Sequence, residues 1–364
     1  MHTGVEPSAG AIGRRPARSR AAVAALALVT IASWAGLSGQ TASGLATPAA
    51  RPPSPQTGAA LTTPWGDPDL QGIWPSGALI DVPFERPAEF GTRTELNDEE
   101  YARRVALITR QVDADAAGDA LPEENEAVGA PKYWRERGRA SRLTSLVVDP
   151  PDGRLPPMTP DGTRRAKAWP DLSNTAAFGS PADMVPYDRC ITRGLLGSMY
   201  PNLYSSGTEI LQAPGFLVIR HEMIHETRII PLDGRPHLSP AIRSYMGDSR
   251  GRWEGRTLVV ETTNFNGRTG SRGRNGNGNP TSPALRLTER FTRLDADTLR
   301  YEVRVDDPET WTRPWTVAFP LTRDPGYTMY EYACHEGNYA VRNILSAARA
   351  GERSAAGGVP APAR

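Results

Sequence analysis

The chain has 364 residues, of which 38% are hydrophobic, 7% aromatic and 23% charged, enough apolar material for one large or two modest cores and too much for a wholly disordered chain. A formal net charge of +1 supplies no global field to hold a polyanion, which argues against a nucleic-acid partner. Lysine occurs only at Lys132 and Lys167, neither after a suitable glycine, so a phosphate-binding loop of the G-x-x-x-x-G-K-[ST] type is excluded.

The first 46 residues read as an export signal. Arg14, Arg15, Arg18 and Arg20 precede an apolar run from Ala21 to Leu37, and small residues follow from Ala42 to Ala50. The run is short for a membrane span, so cleavage is expected rather than anchoring, with no span left afterwards. Without this segment the remainder is slightly acidic. Residues 47–64 carry Pro, Ala and Thr without periodicity, the pattern of a disordered linker, and order is expected from Trp65.

The stretch Asp69-Leu-Gln-Gly-Ile-Trp74 follows a turn signal and predicts an initial strand. Leu96 to Ala117 predicts a helix: Asn97 or Asp98 can cap it, Glu99 and Glu100 suit its positive end, and Val105, Ile108 and Val112 recur at helical spacing. From Ser145 onward, Pro150, Pro151, Pro156, Pro157 and Pro160 exclude a helix or central strand. Residues 65–208 are therefore expected to form a helical and irregular arm packed on the rest.

After Glu209 the pattern changes to period two. Strands are predicted at Glu209–Ala213, Phe216–Glu222, His225–Pro231, Thr257–Phe265, Leu285–Arg293, Thr298–Val305, Trp315–Leu321 and Met329–Ala333. In Leu299-Arg-Tyr-Glu-Val-Arg-Val305 the odd positions are apolar and the even ones charged, so one face meets a core and the other water. Eight strands with mostly short links predict a mainly β domain over 209–345, an antiparallel barrel or strongly curved sheet. The Gly-, Arg- and Asn-rich loop Asn266 to Pro283 is expected to be a mobile flap, and residues 346–364 a low-complexity disordered tail.

Cys190 and Cys334 are the only cysteines, and in an exported chain they are expected to form one disulfide that staples the arm to the last strand. Two strings match catalytic motifs in letters but not in context. His221-Glu-Met-Ile-His225 is an H-E-x-x-H, yet its β-branched flanks predict strand, on which four residues span ~13 Å and two imidazoles cannot reach one zinc. Gly247-Asp-Ser-Arg-Gly251 matches the nucleophile elbow, yet it leads into a strand rather than a helix and reads as a tight polar turn.

Apart from His2, the histidines all lie in the later half, at His221, His225, His237 and His335, several beside carboxylates. A cleft gathering His225, His237 and His335 with Glu222 or Glu331 could run acid–base chemistry or hold a metal, because neutral imidazole titrates near working pH. The catalytic candidates are His225 as base, Glu222 as its orienting or acid partner, Arg228 as anion holder, and His237 and His335 behind them. One conflict follows from strand geometry: Glu222 and Arg228 share one face and His225 the other, unless a turn or bulge separates them. Trp253, Trp311, Trp315, Tyr327, Tyr330, Tyr332 and Tyr339 either fill the core or line a pocket for a ring-bearing ligand. No nucleotide fingerprint appears, no cofactor-binding residues are read, and metal and oligomeric state stay open.

Ile229-Ile-Pro-Leu-Asp-Gly-Arg-Pro-His237, Gly247-Asp-Ser-Arg-Gly-Arg-Trp-Glu-Gly255, Thr262-Thr-Asn-Phe265 and Tyr330-Glu-Tyr-Ala-Cys-His-Glu-Gly-Asn338 together resemble a large group of exported, uncharacterised bacterial proteins. The resemblance spans roughly residues 65–350 and implies export and a periplasmic or extracellular location, without an activity. The Gly72-Ile-Trp74 start before antiparallel strands also resembles lipocalin-like barrels in shape, which implies a small ligand. The expected function is an exported binding protein or non-redox enzyme (lyase, isomerase or hydrolase) acting on a ring-containing compound such as a sugar or phenolic. The alternatives are a metal-dependent hydrolase and a non-catalytic envelope module.

Overall fold

Period-two patterning becomes strand pairing across most of the later half of the chain. The structure is a computed structural model that describes residues 61–117, 135–138, 140–169, 178–272 and 278–357. The signal and linker residues through 60 lie outside the described residues. In chain order the elements are β1 (Gly72–Pro75), α1 (Asp98–Ala117), β2 (Val147–Asp149), α2 (Pro160–Ala168), α3 (Gly194–Met199), β3 (Gly207–Ala213), β4 (Phe216–His221), β5 (Thr227–Pro231) and β6 (Asp248–Glu254). They continue with β7 (Thr257–Thr263), β8 (Gly270–Arg272), β9 (Gly278–Pro280), β10 (Arg286–Arg293), β11 (Thr298–Asp306), β12 (Trp315–Thr322) and α4 (Ala340–Ala355).

The fold is mainly β and its ladders are antiparallel, but no closed barrel of eight strands forms among the described residues. The strands divide into a four-stranded sheet, β1-β3-β4-β5, and a six-stranded sheet, β2-β12-β11-β10-β7-β6, with β8 and β9 as a separate pair. The sheets adjoin where β5 lies beside β6 and β1 beside β12. Side chains make these seams. A Cβ on Gly251 of β6 would stand 2.5 Å from Leu232 Cδ2, so glycine is what lets the end of β5 approach. At the other seam, Trp74 of β1 has the guanidinium groups of Arg293 and Arg323 at 5.5 and 5.1 Å from its ring.

The inward side chains are those that alternation selects. Leu299, Tyr301, Val303 and Val305 of β11 are buried, as are Leu287 and Phe291 of β10 and Leu217 and Ile219 of β4. They pack with Trp74, Leu146 and Leu196 in one core, so the predicted arm supplies strands to both sheets and shares their apolar interior.

Several stretches depart from the sequence reading. Residues 160–168, where proline was expected to exclude a helix, form α2, because Pro160 sits in its first turn, where a missing N–H costs nothing. Residues 248–254 form β6, not a turn: the small residues Ser249 and Gly251 face inward, where the usual apolar signal of a strand is missing. Met329–Ala333 is not a strand; it lies in an irregular strap that makes no ladder. The C-terminal stretch is helical through Ala355, because its alanines favour helix and Ala348, Ile344 and Leu345 pack on Phe178 and Met184. Residues 358–364 lie outside the described residues.

Helix α1 begins as its sequence dictates: Asn97 Oδ1 accepts from Glu100 N–H at 2.9 Å while Glu100 accepts from Asn97 N–H at 2.9 Å. Its expected apolar face is not covered, since Val105 and Val112 are exposed. The loop from Asn266 to Pro283 is not a free flap in its described part. Its limbs pair as β8 and β9, and Asp307 accepts from Ser282 N–H at 2.8 Å and from its hydroxyl at 2.5 Å.

Candidate functional site

The β4–β5 hairpin reverses over Glu222-Met-Ile-His225, closed by His221 N–H donating to Glu226 O at 2.9 Å. The segment from Phe216 to Pro231 is therefore strand, tight turn, strand. Ile224 and His225 take φ of 61° and 44°, the left-handed region that non-glycine residues rarely adopt. This turn separates Glu222 from His225, as the face conflict required. It also sets His221 and His225 apart from any helical pairing: His221 is buried with Nδ1 at 3.2 Å from Thr208 Oγ1, whereas His225 is exposed.

Glu222 is 5% exposed and forms the floor of a cleft of about 780 Å³. Tyr187, Tyr204, Tyr330 and Tyr332 line it together with Glu136, Asp188, Glu331 and Glu336. One wall is the strap before α4, which crosses the hairpin tip. Tyr330 N–H donates to Glu222 Oε1 at 3.2 Å, and His225 Nδ1 donates to Tyr332 O at 3.3 Å. The Cys190–Cys334 disulfide is present as expected and ties the strap to the opposite wall. Asn338 adds a bond from its side-chain amide to Asp188 O at 3.1 Å.

Beneath the cleft, Tyr327 joins two carboxylates. Its hydroxyl lies 2.6 Å from Glu222 Oε2 and 3.1 Å from Glu136 Oε2, and it has a single proton to give. Glu136 accepts in addition from Ser205 N–H, Ser206 N–H and the Ser206 hydroxyl at 2.8, 3.1 and 2.7 Å. Burial pushes the Glu222 carboxyl above its ordinary range and nearby Glu136 adds to this, against the lowering bonds from Tyr327 and Tyr330. Glu222 is thus a carboxyl prepared to hold and release a proton, as is Asp188 in the same cleft, which burial also pushes up.

A raised carboxyl favours the fold while protonated, so Glu222 contributes stability at low pH that is lost as pH rises through its folded value. Glu222→Gln keeps an acceptor for Tyr327 and removes that titration. The expected result is that this variant gains stability relative to wild type as pH rises above the ordinary carboxyl range, read as the difference in unfolding midpoints. Parallel pH profiles would show that Glu222 stays solvated.

The other sequence candidates are not gathered here. Arg228 is buried between the sheets, where its guanidinium meets Glu289 at 2.7 and 3.0 Å; it already holds an anion and is not free for a ligand in the cleft. His237 Nδ1 lies 2.8 Å from Asp248 Oδ2, away from the residues that line the cleft. His335 is exposed on the strap beside Cys334. Ser249 of the elbow-like string is buried and bonded to Thr262 Oγ1 at 2.9 Å, so its hydroxyl is not presented as a nucleophile. Among the described residues, no group of three or more His, Cys, Asp and Glu side chains is placed to hold a metal ion.

Glu136, Tyr187 and Tyr204 escaped the sequence reading because they sit in the irregular arm, where no periodicity marks them. A backbone signal accompanies them. Of the six described non-glycine residues with positive φ, Cys190 and Ser205 line the cleft and Ile224 and His225 follow Glu222. No protein-family model, curated protein or solved structure matches the chain.

Proposed function

We propose that this chain is an exported protein that binds a ring-bearing small molecule in the tyrosine- and carboxylate-lined cleft, with Glu222 as proton donor if the ligand is transformed. The cleft itself carries the reading. Its volume of about 780 Å³ fits a small-molecule site, and tyrosine rings offer flat apolar walls with hydroxyls at their edges. Strained backbone at Cys190, Ser205, Ile224 and His225 is of the kind that functional sites retain. The disulfide and the N-terminal sequence pattern support export to an oxidising compartment. No described helix is long and apolar enough to cross a membrane.

The lipocalin-like idea of a ligand held between sheets is not the one adopted, because Trp74, Phe291, Tyr301 and Phe319 pack that space. A purely structural envelope module would have no use for a buried carboxyl with a raised proton affinity at the floor of a cleft. Thermal unfolding with a panel of sugars, phenolics and aromatic amines tests the proposal. A binder should raise the midpoint, by mass action worth about 2.7 kcal/mol at a hundredfold excess over Kd. Tyr332→Ala should abolish that rise. A panel without a binder, or a rise that survives Tyr332→Ala, overturns the assignment.

A further inference from the structure

From the charge and ring content of the cleft, we infer that its ligand is a cation: a protonated amine or quaternary ammonium group carrying a ring. The inference rests on the reading of the cleft as a ligand site. Among the described residues that line it there are acidic side chains at Glu136, Asp188, Glu222, Glu331 and Glu336, and no lysine or arginine. Glu331 and Glu336 are exposed on the strap and have no ion-pair partner among the described residues. Asp188 Oδ2 is buried and makes no hydrogen bond.

The tyrosines match this polarity. A ring face carries negative quadrupole charge and attracts a cation, most strongly where water is displaced. The fold already uses the pairing behind the wall, where the Arg193 guanidinium sits 5.5 Å from the Tyr187 ring centroid and is bonded to Asn202. Arg193 is fully buried, so it serves the back of that ring and leaves the open side of the cleft acidic. An anionic phenolic acid would meet the exposed Glu331 and Glu336 carboxylates with no cation in the lining, and a neutral sugar would leave their mutual repulsion unrelieved. A ring-bearing cation relieves the repulsion and stacks on tyrosine at once.

The discriminating experiment is titration calorimetry on the full chain with benzylamine, benzyl alcohol and benzoate, which share a ring and differ in charge. Benzylamine should bind about tenfold tighter than benzyl alcohol, with benzoate weakest. That advantage should shrink as salt is raised to about 0.5 M, and it should disappear in the double variant Glu331→Gln/Glu336→Gln, whose exposed positions do not disturb folding. Tyr332→Ala should weaken the amine and the alcohol alike. If the alcohol or benzoate binds as tightly as the amine, and Tyr332→Ala weakens it, the charge inference is overturned while the cleft stands. If none of the three compounds binds, the cleft reading and the inference fall together.

Discussion

Arg228→Ala is expected to lower the unfolding free energy by about 4 kcal/mol, measured by urea denaturation of wild type and variant. The reason is geometric. Arg228 points inward from β5 and Glu289 inward from β10, so the two sheets trap a fully desolvated pair joined by two bonds of 2.7 and 3.0 Å. Tyr301 adds its hydroxyl to Glu289 Oε1 at 3.1 Å. Removing the cation leaves a buried carboxylate with one neutral donor, and the cost is that of the stranded charge rather than the worth of the pair. The double variant Arg228→Met/Glu289→Leu should therefore be much less damaging than Arg228→Ala alone, because it strands nothing. A loss below about 1 kcal/mol for Arg228→Ala would show that water reaches the pair and that the space between the sheets is not dry.

The part of the fold that the sequence made legible is the part whose side chains alternate between core and solvent. Leu299, Tyr301, Val303 and Val305 announced β11, and β10 followed from the same signal. Strand β6 was hidden because a close seam needs small side chains, and Ser249 and Gly251 carry no hydrophobic signal. The mainly β, antiparallel character was legible, but closure was not: strand count and link length do not say whether the edges meet through backbone bonds or through side chains such as Trp74, Arg293 and Arg323.

The candidate site was legible at Glu222, Glu331, Tyr330 and Tyr332 and at the Cys190–Cys334 disulfide. Its remaining pieces come from segments without periodicity, which only tertiary structure brings together. The placement of the histidines was not legible, since imidazole is as useful for bonding Thr208 or Asp248 as for catalysis, and sequence alone cannot separate these uses. The cysteine pairing was legible, because two thiols have a single way to pair.

Replacing Cys190 and Cys334 by serine together is expected to cost about 4 kcal/mol of stability and to abolish the response to ring-bearing ligands. The bond spans 144 residues of sequence, so its loss returns a large amount of freedom to the unfolded chain. The second effect is local. The strap that carries Tyr330 and Tyr332 belongs to no sheet, and its contacts besides the disulfide include single bonds to Glu222, His225 and Asp188. Each such bond contributes about 1 kcal/mol, too little by itself to hold an irregular segment across a hairpin tip. Hydrogen exchange on the serine variant should accordingly show lost protection at residues 327–339 while β10, β11 and β12 keep theirs. If the variant binds its ligand as wild type does, the strap is held by its non-covalent contacts alone, and the disulfide acts on the unfolded chain rather than on the shape of the cleft.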